Sequence, residues 1–278
     1  MTAISLNSAG FGSAIDRAGV FAGTFLVALA LLAFEINTVR TINFVVGPSL
    51  IYLAIALAML GLSGASSLLS LFDVRALPIR REILLFWLCA VIAVLLVHAH
   101  FLAADQKALL NSIVAAAGRA DGLKGVLVAG IAHGLKTAFV IGIGLSLPYF
   151  LFGALLALLF TTTDTRWYGR LYASDLIGAA VGCMAAILLM EATSYAFSVT
   201  VPAVLVLLAG VAYVWSVQRA LGTAGIVAAA VLAILPQIDD YADRIEPPVN
   251  ANYLARDYRQ KEQIREAWRD WNSYTRVG

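Results

Sequence analysis

Apolar runs of about twenty residues, broken by short polar clusters, recur along this chain from Ala18 to Ile238. A helix needs about 20 mostly apolar residues to cross a bilayer. Seven stretches qualify: Ala18 to Val39, Phe44 to Leu71, Ile83 to Phe101, Thr137 to Phe160, Leu171 to Met190, Phe197 to Val217 and Leu221 to Ile238. They predict an all-α polytopic membrane protein with about seven transmembrane helices in residues 1–238. The first run reads as an anchor, because its charged flank is weak and no small-residue cleavage site precedes Glu35. In the fourth, apolar character begins earlier, near Gly125, and is interrupted by His133 and Lys136. At about 1.5 Å per residue, Gly125 to Phe160 is too long for one straight span and too short for two. Either an interfacial helix leads into the span, or part of it is re-entrant. Gly142, Gly144 and Pro148 predict a kink there.

The pattern changes at Pro236. Asp239, Asp240 and Asp243, followed by Pro247 and Pro248, predict a linker. From Tyr253 to about Trp271 a helical period returns. Ile264, Ala267, Trp268 and Trp271 fall at i, i+3, i+4 and i+7, one face of an amphipathic helix. The closing segment, Trp271 to Gly278, has strand-like residues and no partner strand. Residues 239–278 are expected to be a polar linker and amphipathic tail leading to a soluble domain absent from this sequence.

Composition agrees that lipid is the solvent. Hydrophobic residues make up 61% of the chain and charged residues 13%, against about 25% charged in a soluble domain; the mean hydropathy is +0.87. A net charge of +2 is too small to argue for nucleic acid. Cys89 and Cys183 fall inside apolar runs and read as small buried hydrophobes. His98, His100 and His133 form no zinc spacing with them, and no cofactor is implied. Arginines in short loops orient a bundle. Arg17, Arg75, Arg80, Arg81, Arg166, Arg170 and Arg219 all fall on one side, read as cytoplasmic. The other side carries Arg40 and, in a long loop, Lys107, Arg119 and Lys124. Seven spans place the tail outside.

Two polar clusters stand against this apolar background. Glu35, Asn37 and Arg40 lie together at the predicted end of the first span. They form either a membrane-edge site that binds a substrate or relays protons, or an acid and a base that satisfy each other and pin the helix. Arg166, Arg170, Tyr172 and Asp175 gather at the start of the fifth. Arg166 and Arg170, four apart, share a face if helical. That cluster is either an anion or substrate site at the cytoplasmic mouth, or positive-inside anchoring beside an acid favoured near a helix start. Gly61 and Gly64 in the second span, and Gly178 and Gly182 in the fifth, are expected to be packing faces, because small residues let backbones approach. Trp167 and Trp215 fall where aromatic belts sit. His133 and Lys136 read as interfacial, with the lysine snorkelling. No Gly-x-Gly-x-x-Gly follows a strand, and no phosphate loop, Ser-His-Asp spacing or metal cluster is visible. No catalytic motif is present in residues 1–278.

Several segments together resemble a family. Ala33 to Arg40, Leu57 to Ala65, Leu147 to Gly153, Gly169 to Ala179 and Trp271 to Val277, in this order, are similar to landmarks of bacterial membrane-bound spermidine-synthase-like proteins. The resemblance implies a membrane domain in the bacterial inner membrane. That domain anchors or serves a soluble transferase-like domain, of aminopropyltransferase or methyltransferase type with an adenosyl-compound pocket. It carries over no catalytic residue, since none of those positions is in this sequence. The bilayer, such a transferase-like domain and a second copy of the chain are the expected partners. The alternative is a self-sufficient transporter-like module for a cationic or amphiphilic solute.

Overall fold

Helix α1 (Ala14–Val45) outruns its predicted apolar run at both ends. After it come α2 (Ile51–Leu69), α3 (Arg81–Ala104), α4 (Gly142–Thr162) and a 3-10 turn at Thr165–Trp167. Next are α5 (Tyr168–Ala192), α6 (Tyr195–Val214) and α7 (Arg219–Ile234), then a second 3-10 turn at Leu235–Gln237 and the short α8 (Asp239–Ile245). The structure, a computed structural model, describes residues 14–45, 51–72, 80–104, 142–144, 146–245, 270–271 and 276–277. Among the described residues, six helices are long and apolar enough to cross a membrane: α1, α3, α4, α5 with its preceding turn, α6, and α7 with its following turn. The chain is thus a multi-pass helical membrane protein. The apolar part of α2, Ile55–Leu69, falls short of that length.

The helix contacts fix the directions. Gly178 and Gly182 of α5 meet Phe25 and Leu29 of α1, so these two helices run parallel. Asn37 meets Ser198 and Thr41 meets Tyr195, so α6 runs antiparallel to α1. His100 meets Tyr195 and Cys89 meets Gly210, so α3 is antiparallel to α6 as well. Trp215 against Gly222 makes α7 antiparallel to α6. The starts of α1, α3, α5 and α7 therefore share one end of the bundle, and with them Arg17, Arg81, Arg170 and Arg219. At that end Arg81 also donates to the Thr162 carbonyl at the close of α4, at 3.2 Å.

The core lies where α1, α3, α4 and α6 meet, with Val27, Phe34, Leu85, Ile92, Leu96, Phe152, Leu155 and Val206 buried. Helices α5 and α7 turn most of their apolar residues outward, among them Leu176, Met184, Leu188, Val227 and Val231. Lipid is the solvent that makes such a surface stable. Helix ends follow local chemistry: Ser194 accepts from the Phe197 amide at 3.3 Å and starts α6, and Asp164 caps the Thr165–Trp167 turn.

The structure corrects three sequence expectations. Residues 239–245 are helix α8, not linker. Asp239 and Asp240 open the helix, where the dipole favours acids, and Tyr241 folds back to share a 2.9 Å hydrogen bond with Thr200 of α6. Trp271 belongs to a two-residue ladder, Asp270–Trp271 against Arg276–Val277, so the predicted tail helix does not reach it and the closing segment has its own partner strand. The rest of that helix, the segment around His133 and Lys136, and Arg75 lie outside the described residues. The third correction concerns small residues. A Cβ on Gly61 would sit 2.9 Å from the Tyr149 Cβ and 3.0 Å from the Phe150 nitrogen, whereas one on Gly64 would meet nothing within 4 Å. Gly61 packs on α4 and Gly64 does not. Accordingly, Gly61→Leu is expected to destabilise the bundle in detergent by roughly 1–3 kcal/mol, with Gly64→Leu within about 0.5 kcal/mol of the parent. Equal melting of both variants would refute this assignment of the face.

Candidate functional site

Polar residues inside a span must find partners there, because lipid offers none. The far half of α1 shows how this chain meets that demand. Asn37, Thr38 and Thr41 are buried rather than at a water-exposed helix end. Pro202 stands inside α6. A proline has no N–H and leaves the carbonyl four residues earlier without its helical donor. That carbonyl is Ser198's, and the Asn37 side-chain amide donates to it at 2.9 Å. The Ser198 hydroxyl returns a bond to the Asn37 side-chain oxygen at 3.2 Å. The polar residues that looked like the end of an apolar run are instead the contact that lets α1 continue to Val45.

A chain of hydrogen bonds runs on from this pair. Thr41 Oγ1 donates to the Asn37 carbonyl at 2.8 Å and lies 2.8 Å from the Tyr195 hydroxyl, which is 3.3 Å from His100 Nδ1. One proton arrangement satisfies all three contacts. Thr41 donates to Asn37, Tyr195 to Thr41, and His100 Nδ1–H to Tyr195. The opposite direction leaves the Asn37 contact without a proton. His100 Nε2 is then a bare acceptor, buried and without a hydrogen-bond partner among the described residues. Phe34 closes over the His100 ring edge-on at 5.6 Å and leans on Tyr149 at 5.3 Å. Glu35, half-buried, lies near the Tyr149 phenol. Four helices thus contribute to one polar core.

The first predicted cluster is therefore split. Glu35 does not pair with Asn37 or Arg40: Asn37 turns to α6, and the Arg40 guanidinium reaches the Met190 sulfur of α5. Ten residues of α1, about 15 Å, follow Glu35, so this acid stands well inside the helix.

The second cluster also divides. Arg166 and Arg170 do not share a helical face. Arg166 lies in the 3-10 turn and binds Asp164 at 2.7 Å, and its hydrogen bonds hold the Asp164 carboxyl below the usual carboxylate range. Arg170 stacks over the Trp167 ring, 4.8 Å from its centroid. Tyr172 faces outward. Asp175 alone turns inward, half-buried, close enough to Tyr213 of α6 for an electrostatic interaction. The ion pairs among the described residues, Arg81–Glu82 and Asp164–Arg166, include neither Glu35 nor Asp175.

The register of α5 on α1 sets Asp175 level with Ala22. Glu35 is thirteen residues further along, about 20 Å. The two acids do not meet, although both lie deeper than the ends of the spans. A double-mutant cycle of Glu35→Gln and Asp175→Asn is expected to show coupling below about 0.5 kcal/mol, measured by unfolding in detergent. A larger coupling would bring the two into one site. Among the described residues no group of three His, Cys, Asp or Glu is placed to hold a metal ion.

The residues that complete the polar core but escaped the sequence reading are Thr38, Thr41, His100, Tyr149, Tyr195 and Ser198. A usable signal existed in Pro202, which inside a span calls for a donor on a neighbouring helix. Compared with protein-family models, curated proteins and solved structures, the chain gave no match.

Proposed function

We propose that this chain is the membrane domain of a spermidine-synthase-like protein of the bacterial cell membrane, a seven-helix bundle with α2 as the seventh span. In this reading it anchors or serves a transferase-like domain. The observation that supports it is a convergence. Three of the segments that carry the resemblance come together in the fold. Phe34, Glu35 and Thr38 of the first lie against Tyr149 of the third, and Gly61 and Leu62 of the second lie against Tyr149 and Gly153. Resemblance and packing thus select the same region.

Binding decides it. N-terminally tagged protein purified from its host's membranes is to be tested for S-adenosylmethionine and its decarboxylated form, beside residues 1–278 reconstituted alone. Binding by the native preparation and none by the isolated bundle is expected. A native preparation that binds neither compound removes the reading.

A second reading, a solute carrier, is favoured by Glu35, a half-buried acid ten residues inside α1. Uptake of an organic cation by proteoliposomes, abolished in Glu35→Gln, would establish it. By the positive-inside rule, the arginines at the starts of α1, α3, α5 and α7 support a cytoplasmic placement of that end in either case. A single cysteine at position 166, with Cys89 and Cys183 replaced, is expected to resist a membrane-impermeant maleimide in intact cells. Labelling from outside would invert the orientation.

A further inference from the structure

Polar side chains close to a helix end usually reach water, yet one end of the polar core is buried there. His100 is four residues, about 6 Å, from the close of α3, and Tyr195 is the first residue of α6. Both are buried, as are Ala196, Val199 and Thr200 in the first two turns of α6.

Among the described residues, the element seated on this seam is α8. The chain leaves α7 through the Leu235–Gln237 turn, and the Tyr241 and Ala242 amides donate to the Ile238 carbonyl at 3.0 Å each as α8 begins. Tyr241 then reaches past α7 to two other helices. Its ring stands edge-on to Phe101 of α3 at 5.6 Å, and its hydroxyl lies 2.9 Å from Thr200 Oγ1 of α6. Thr200 gives its own proton to the Ala196 carbonyl at 2.7 Å, so Tyr241 is the donor to Thr200. Tyr241 and Ala242 join Phe101 against Tyr195, Ala196 and Val199 in one apolar cluster. Phe101 follows His100 in α3, and the Tyr195 hydroxyl is the group that His100 meets at 3.3 Å. The seat of α8 and the polar core therefore occupy neighbouring residues on both helices. Helix α8 has seven residues, and isolated helices shorter than about 12–15 residues are marginal in water, so it keeps its form through this seat. Short elements of that kind open at lower free energy than packed spans.

We propose that α8 is a strap that closes the α3–α6 seam over the Tyr195–His100 end of the polar core, and that its release admits water to that end while the spans stay in place. The inference holds for either reading of the function and rests on neither.

The test uses the full chain in mild detergent, with Cys89 and Cys183 replaced by alanine. Two reporter variants are compared, Ala196→Cys in the seam and Ala93→Cys in the core, both at buried positions. The readout is the rate of modification by a charged, water-borne methanethiosulfonate reagent. In Tyr241→Ala the seam reporter is expected to react at least tenfold faster than with Tyr241 present, and the core reporter to change less than twofold. Tyr172→Ala, which removes an exposed tyrosine of α5, is expected to leave both rates as they were. Equal rates at position 196 with and without the Tyr241 ring overturn the strap. A parallel rise at both reporters also overturns it, because the whole bundle has then loosened. Should Tyr241→Ala not fold, Tyr241→Phe keeps the ring and loses only the bond to Thr200. It is expected to raise the rate at position 196 at least twofold, and an unchanged rate there overturns the strap equally.

Discussion

Gly182→Leu is expected to cost the bundle more stability than any other single change considered. A Cβ at position 182 would lie 2.5 Å from the Leu29 carbonyl oxygen and 2.9 Å from the Leu29 Cα. One turn earlier, a Cβ at Gly178 would meet the Phe25 carbonyl and the Ala28 methyl. These obstacles are backbone, so no rotamer change relieves them. Helices α1 and α5 must separate, and the separation is felt along their whole parallel contact. Overpacking typically costs roughly 1–3 kcal/mol, and a contact held on both sides by main chain belongs at the upper end. Thermal unfolding in mild detergent measures the loss. A Gly182→Leu variant that melts with the parent would mean that α5 does not lie on α1.

The second large effect concerns Asn37. Asn37→Leu strips the Ser198 carbonyl of the donor that replaces the amide missing at Pro202, and leaves the Ser198 hydroxyl without its acceptor. A buried polar group without a partner costs roughly 1–3 kcal/mol. The origin of that cost can be isolated. In a Pro202→Ala background the residue at 202 regains an N–H and can close its own helical bond to Ser198. Asn37→Leu is then expected to cost less than half as much, a coupling well above the roughly 0.5 kcal/mol scatter of independent sites. An equal cost in both backgrounds would show that the asparagine does not compensate for the proline.

Spans were the legible part of this chain, because an uninterrupted apolar run in a polar alternative environment carries a strong signal. Ile83 to Phe101 lies within α3, and Leu171 to Met190 lies within α5. Helix α1 was cut short at Val39 for an instructive reason. Hydropathy treats Asn37 and Thr41 as residues seeking water, whereas here they bond to α6. Pairing between helices has no one-dimensional trace, so His100, Tyr195 and Ser198 could not be joined to Asn37 from spacing. Nor could Gly61 be told from Gly64. Both are small residues on an apolar helix, and only the position of α4 distinguishes them. The shared face of Arg166 and Arg170 was conditional on a helix, and at Arg166 Asp164 caps a tighter turn instead.

The bond between Asn37 and Ser198 joins residues 161 positions apart, and this has a consequence for the order in which the protein is made. A ribosome adds roughly 5–20 residues per second, so the amide waits roughly 8–30 s for the carbonyl it serves. During that interval α1 has neither α5 nor α6 beside it. An arginine or acid at the centre of an inserting helix costs roughly 2.5–3.5 kcal/mol, and the nascent α1 carries Glu35 and Arg40 with Asn37 and Thr38 between them and Thr41 just after. Until α6 is made, Asn37 and Thr41 have none of the partners on it that hold them in the finished bundle.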